Sequence, residues 1–311
     1  MRTRPPPSSL LALAFRQDDL VSAAQCESAG VGAARRSRFV RDGTWQRLTH
    51  GVFDVVPQRD RRRDADHRRR RAAWLGMLAY GPDAVAVGPC ALALHGVRGL
   101  PLDIAPEIAL ASGYARRARD GIRVRQFGAF DSQRHGAGAI AALVPALAQA
   151  LPELPRAHAV AVLDDALHRG LLPPAGLDAV RAMTQGRRCM ASRSSWWDLV
   201  DARAESPLET YARLQCVDAG VPPDEPQVEI RSPNGRLLGR GDMGWHLGGG
   251  RWLIAEIDGR EVHEAPQAVL HDRRRQNALL TSGLVDLLRF TAADIAAGDT
   301  IPTAIRRSLR L

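Results

Sequence analysis

The residues best placed to do chemistry lie between Arg240 and His263, in the stretch RGDMGWHLGGGRWLIAEIDGREVH. Asp242 stands on one short apolar segment. Gly248, Gly249 and Gly250 follow as a turn, and the run Trp252-Leu253-Ile254-Ala255 then leads into Glu256, Asp258 and Gly259. Two strands joined by a glycine turn account for this pattern. Residues two apart in a strand share a face, so Glu256 and Asp258 project together. Pairing in register brings Asp242 beside them. Three carboxylates at one spot repel each other unless a cation lies among them, and oxygen donors of this kind suit Mg²⁺. The same spacing also fits a solvated hairpin whose acids face water.

Those strands need a scaffold, and the flanking sequence offers one. Ser206-Pro207-Leu208-Glu209 opens a helix, with Ser206 as cap, proline in the first turn and Glu209 as the third residue of a capping box. Strands are expected at Gln227–Ile230 and Val285–Phe290, with a helix over Gln267–Ser282 between the hairpin and the last strand. The expected order is therefore α-β-β-β-α-β.

The N-terminal part reads differently. Asp18 or Asp19 can cap a helix through LVSAAQCESAG, with Leu20, Ala23, Ala24 and Cys26 as its apolar face and Gly30 as its stop. A second helix, Gly32–Arg41, carries Arg35, Arg36, Arg38 and Arg41 around Phe39 and Val40. Asp42-Gly43 turns the chain into a hairpin formed by Trp45–Leu48, which includes Arg47, and Gly51–Val55. Helix, turn, basic helix and wing is the order of a winged helix-turn-helix, which reads DNA with its second helix. The preceding Met1–Arg16 is expected to be a frayed tail or the product of a mis-called start codon. It lacks the longer apolar region and small-residue cleavage site of a signal peptide.

The run Arg59–Arg71 either tracks phosphate or is a solvated helix start with internal Asp–Arg pairs. Beyond it, helices around Ala72–Tyr80 and Cys90–His95 and strands near 106–111 and 121–127 suggest a small α/β middle segment. Gly138–Leu151 and Ala157–Gly170 continue it as alanine-rich helix, with Asp164, Asp165, His168 and Arg169 on the polar side. Pro173-Pro174 and Gln185–Ser195 mark a loop. His95, at the end of an apolar helix, reads as a packing residue.

Composition bounds these readings. The 311 residues are 45% hydrophobic and 25% charged, as expected for a folded chain of two or more domains. The formal charge is +9, and because lysine is absent all 43 cations are arginine. Arginine is permanently charged and forks onto phosphate, so the excess points to a polyanion, nucleic acid first. Cys26, Cys90, Cys189 and Cys216 are far apart and read as buried thiols in a reducing compartment, which excludes a zinc site and a disulfide framework. No apolar run reaches the ~20 residues of a membrane span. A cytoplasmic location, without membrane partners, is the expectation.

Two resemblances sharpen this. Ala34–Val55, ARRSRFVRDGTWQRLTHGVFDV, resembles the N-terminal domain of AbiEi-type antitoxins of type IV toxin–antitoxin systems. That resemblance implies a repressor-like DNA-binding head, without by itself implying an active antitoxin; the expected partners are DNA and a cognate toxin or its operator. From Ser206 to about Arg306 the chain is similar to the PD-(D/E)xK nucleases, most closely to a domain related to very-short-patch repair endonucleases. The matching phrases are SPLE, GDMGW, AEIDGREVH and HDRRRQNALLTSGLVDLLRF. This second resemblance implies Mg²⁺ held by Asp242 and Glu256, with Glu209 supplied from the preceding helix. It also implies His263 as general acid or base, and Arg273, Arg274 and Gln276 on the phosphodiester backbone. The superfamily's usual lysine falls on Asp258, which becomes either a further ligand, with Arg273 or Arg289 supplying positive charge, or a sign that the fold is kept for binding alone.

The resulting expectation is an α/β chain, α+β overall. It has a winged head over residues 15–58, an α/β middle segment over 65–185 and an endonuclease-like domain over 196–311. Its expected function is DNA binding with Mg²⁺-dependent phosphodiester hydrolysis, the alternative being a non-catalytic antitoxin that represses transcription.

Overall fold

The computed structural model describes residues 5–57, 64–110, 117–258 and 281–311. The chain is α+β overall and divides into two compact units, Met1–Leu154 with Leu172–Ala191, and Pro155–Leu171 with Ser192–Leu311.

The first unit begins with a helix rather than a frayed tail. Helix α1 (Ser8–Arg16) buries Leu10 and Ala14, which lie one turn apart on a single face. Asp18 and Asp19 then take left-handed backbone angles instead of capping a helix. Leu20–Ser22 is strand β1, paired antiparallel with β3 (Val52–Asp54), and β2 (Gln46–Thr49) pairs on the other side of β3. Helix α2 (Ala23–Ser28) is capped by Ser22 in a capping box with Gln25, and α3 (Ala33–Arg41) follows. Strand pairing thus claims the three residues that apolar spacing alone assigned to a helix. Phe39 stacks on Trp45 at 4.7 Å between ring centroids, and Trp45 meets Phe53 at 6.0 Å. Burying side chains of this size stabilises the fold by roughly 1.5–3 kcal/mol each.

Next comes α4 (Ala65–Tyr80), packed against a five-stranded sheet of order β6-β5-β4-β8-β7. Its strands are β4 (Ala84–Ala86), β5 (Glu107–Leu110), β6 (Arg123–Arg125), β7 (Ser132–His135) and β8 (Gly138–Ala141). The expected helix from Gly138 therefore begins as a strand, because the segment pairs with β7 and with β4. Helices α5 (Gly88–Leu94), α6 (Leu143–Ala150) and α8 (Pro174–Thr184) complete the unit. His95 ends α5 and meets the Ala141 carbonyl at 2.8 Å, a packing role as expected. Cys26 and Cys90 are buried thiols, whereas Cys189 is exposed, against expectation.

The second unit takes α7 (Arg156–His168), a 3-10 helix (Ala191–Leu199) and α9 (Pro207–Asp218). Its sheet has the order β12-β11-β10-β9, with β9 (Glu225–Arg231), β10 (Leu237–Gly248), β11 (Arg251–Asp258) and β12 (Val285–Thr291). β11 and β12 run parallel, and the other neighbours are antiparallel. One face packs Met243, Trp245, Leu253, Ala255 and Ile257 against Ala212 and Cys216 of α9. Ile301 and Ile305 of α11 (Thr300–Leu309) join them, with α10 (Ala292–Ala296) between β12 and α11. The other face gathers Val228, Ile230, Ile254 and Val285. The helix expected over Gln267–Ser282 lies almost wholly outside the described residues.

Asp164 and Asp165 on α7 are buried, not on a polar face. Asp164 accepts hydrogen bonds from Thr210 Oγ1 (2.8 Å), Arg213 (2.9 Å) and the Asp201 backbone N–H (2.8 Å), which pins α9 to α7. Burial still pushes its carboxyl up to about 6.

Candidate functional site

Helix α9 starts where the sequence places it. Ser206 Oγ accepts the Glu209 N–H at 3.3 Å and donates to Glu209 Oε1 at 2.7 Å. The capping box is altered, because Glu209 Oε2 accepts the N–H of Glu205, at 2.9 Å, rather than that of Ser206. The same Oε2 accepts Gln227 Nε2 at 2.8 Å, tying the helix start to β9.

Register places the acids. Met243 pairs with Ala255 and Gly244 with Ile254, so Asp242 lies one residue beyond the last paired position of β10 and Glu256 one residue beyond that of β11. Glu256 pairs in turn with Arg289 on β12. Two glycines make the close approach of β10 feasible. A Cβ on Gly241 would lie 2.2 Å from Ile254 Cγ2, and one on Gly244 would lie 2.6 Å from Val228 Cγ2. The GDMG phrase is thus a packing device as well as a carrier of Asp242.

Asp242 Oδ2 accepts the Ile257 N–H at 2.7 Å. Burial pushes its carboxyl up to about 7, against that hydrogen bond, and the charges of Glu209, Glu256 and Glu205 push in the same direction as burial. Glu209, Asp242 and Glu256 are therefore one electrostatic cluster. Glu256 and Asp258 share a face, as the two-residue spacing requires. Arg289 Nε donates to Glu256 Oε2 at 3.1 Å and lies 3.5 Å from Asp258 Oδ2. Arg240 pairs with Glu205 nearby in sequence to Asp242. Among the described residues, no three His, Cys, Asp or Glu side chains form a ready metal-ligand set. His263, Arg273, Arg274 and Gln276 lie outside the described residues.

Gln227, expected only as the start of a strand, lies within β9. Its backbone is left-handed, with φ 54°, a conformation that costs an L-residue free energy unless its surroundings hold it. No local sequence signal announces it.

In the first unit the candidate DNA-facing arginines separate. Arg38, Arg41 and Arg47 are exposed, and α3 presents Ala33, Ala34, Ser37, Arg38 and Arg41 along one exposed face. Arg36 turns inward instead. It donates to Glu27 Oε1 (2.6 Å) and the Val31 carbonyl (2.8 Å), with its guanidinium 6.0 Å from the Phe53 ring centre. Arg35 donates to the Pro5 carbonyl at 2.7 Å and lies over Phe39. Arg47 meets His50 Nδ1 at 3.0 Å.

The described part of the arginine run is engaged internally. Arg69 pairs with Asp66 at the expected helical spacing and donates to the Leu100 and Pro101 carbonyls. Arg68 pairs with Asp103, Arg70 with Asp18, and Arg71 with Asp54. These contacts clamp α4 to the first three strands and to the α5–β5 connection.

No family model matches the chain, and no solved structure matches it. Two curated proteins do, the uncharacterized proteins MT2308 and Rv2248 of two Mycobacterium tuberculosis strains. Each is 32% identical over 123 residues, covering 40% of this chain and 44% of the relative. The chain thus spans less than half the length of these relatives. Among the described residues, no helix is long and apolar enough to cross a membrane.

Proposed function

We propose that this chain is a DNA-binding protein whose second unit is a PD-(D/E)xK-type, Mg²⁺-dependent nuclease built on Asp242 and Glu256. The observation that carries the reading is the position of Asp242 at the end of the β10–β11 pairing, within the field of Glu209 and Glu256, where burial and like charge hold its carboxyl near 7. Perturbed carboxylates of this kind are a recognised mark of functional sites.

The donors suit a divalent cation. Asp242 and Glu256 offer hard oxygen ligands, and the buried amide oxygen of Gln227 has no hydrogen-bond partner among the described residues. Asp242 and Glu256 would hold the ion, which when bound supplies a more acidic water and positive charge for the scissile phosphate. Glu209, fixed by Ser206, Glu205 and Gln227, maintains the negative field that favours cation entry. Arg289 supplies the positive charge that the superfamily's lysine gives elsewhere, from the neighbouring strand rather than from position 258. The exposed α3 face with Arg38 and Arg41, followed by the β2–β3 hairpin with Arg47, supports a winged head on DNA.

One observation favours a second reading. Arg289 already bridges Glu256 and Asp258, as an internal counter-ion would in a binding-only antitoxin that represses its operator. Plasmid nicking by the full-length protein in Mg²⁺ and Mn²⁺ separates the two. The nuclease reading expects cleavage that Asp242→Ala and Glu256→Ala abolish while both variants stay folded. No cleavage of any DNA or RNA by the wild type supports the repressor.

A further inference from the structure

We infer that Gln227 supplies a third oxygen donor, its side-chain Oε1, to the cation held by Asp242 and Glu256. The inference rests on the metal reading above and names a residue that the resemblance does not carry.

Four observations converge on it. Gly241 pairs with Val228 and Met243 with Pro226, so Gln227 stands across β10 from Asp242. Its Nε2 donates to Glu209 Oε2 at 2.8 Å. That bond fixes the orientation of the amide, because a flipped amide would set two acceptor oxygens against each other. Oε1 is therefore the free end. It is buried and accepts no hydrogen bond among the described residues, a state that costs free energy unless a ligand relieves it. Finally, φ 54° at Gln227 is a strained setting for a residue with a side chain, of the kind concentrated at ligand clamps.

The chemistry is consistent. Two carboxylates and one neutral amide oxygen leave the remaining positions of an octahedral ion to water and phosphate. Nε2 on Glu209 then acts as the orienting bond that metal ligands commonly have. Glu209 is a positioning residue in this arrangement rather than a ligand.

The test is Mn²⁺ binding to the full-length protein, followed by calorimetry and by the electron paramagnetic resonance signal of bound Mn²⁺. Wild type should bind one ion per site. Gln227→Met, similar in length but without the oxygen, should weaken binding about tenfold or more. Gln227→Glu, which keeps an oxygen at that point but loses the orienting donor to Glu209, should bind more weakly than wild type and more tightly than Gln227→Met. If Gln227→Met does not fold by circular dichroism, Gln227→Asn, which withdraws the oxygen by one carbon, carries the same expectation. Wild-type affinity in Gln227→Met or Gln227→Asn, with binding still lost in Asp242→Asn, overturns the role of Gln227 and leaves the metal site standing. Gln227→Glu as weak as Gln227→Met also overturns it, since the bond to Glu209 would then be what matters. No Mn²⁺ binding by wild type removes both.

Discussion

The head of the first unit and the sheet of the second treat charge in opposite ways. On α3 the cations that are not needed for packing point outward, where water screens them at little cost in stability. Around β10 and β11 like charges are drawn inward, and burial holds Asp242 far from its ordinary ionisation range. A fold keeps a costly arrangement of that kind when something other than stability requires it. The inward charges of the head make the complementary point. Arg36 is buried but paired with Glu27 and the Val31 carbonyl, so it contributes to the fold rather than awaiting a ligand.

The contrast can be broken most severely at Gly241. Adding a methyl there sets a Cβ against the branched Ile254 Cγ2, which cannot swing away. Gly241→Ala should cost about 1–3 kcal/mol or more by urea denaturation, and Ile254→Ala in the same chain should recover part of it. Independent, additive losses in the double variant would argue that the close approach is not what the glycine serves.

The next largest effect concerns Asp242 in metal-free protein. Its folded carboxyl sits at about 7 against an ordinary 3.8. The folded state therefore holds a proton that the unfolded chain has released across that window. Its contribution is fully present below about 3.8 and is lost as pH rises through 7. The second unit should melt higher at pH 5.5 than at pH 8, by on the order of 2 kcal/mol. Asp242→Asn should flatten that slope, as read by thermal melts across the range. A slope unchanged in the variant would place the titrating group elsewhere. The buried Asp164 carboxyl, at about 6, adds in the same direction at lower pH.

The smallest effects separate the arginines of the head. Arg38→Ala with Arg41→Ala should weaken DNA binding and lower the salt-dependence slope by about 2, close to one unit per lost phosphate contact, with stability unchanged. Arg36→Ala should do the reverse, costing about 1–2 kcal/mol of stability while leaving the slope alone. Equal slope losses from all three substitutions would erase the distinction between outward and inward cations.

Much of the second unit was legible in advance because its signals are local. The alternation and glycine turn of β10 and β11, the Ser206-Pro207 helix start and the run Val285–Phe290 depend on neighbours a few residues apart. Helix α3 and the β2–β3 hairpin were readable for the same reason. Failures arose wherever a distant partner chose the outcome. Leu20–Ser22 and Gly138–Ala141 became strands because other strands pair with them. Helix α1 went unseen because its short apolar face has meaning only once the head core exists to receive Leu10 and Ala14. Asp164 read as a surface acid because Arg213, Thr210 and Asp201 are many residues away.

The sequence by itself determined which residue types are present and how they repeat. That was enough to set the α+β class, the basic balance and the identity of the acids Glu209, Asp242, Glu256 and Asp258. Only the tertiary structure decided which charges face water and which face each other. It turned Arg36 inward, gave the described part of the arginine run to internal clamps and set Arg289 beside Glu256. It also strained Gln227 into a left-handed turn beside Glu209. The physical reason is that period and propensity act along the chain, whereas burial and Coulomb forces act through space between residues that sequence order does not bring together.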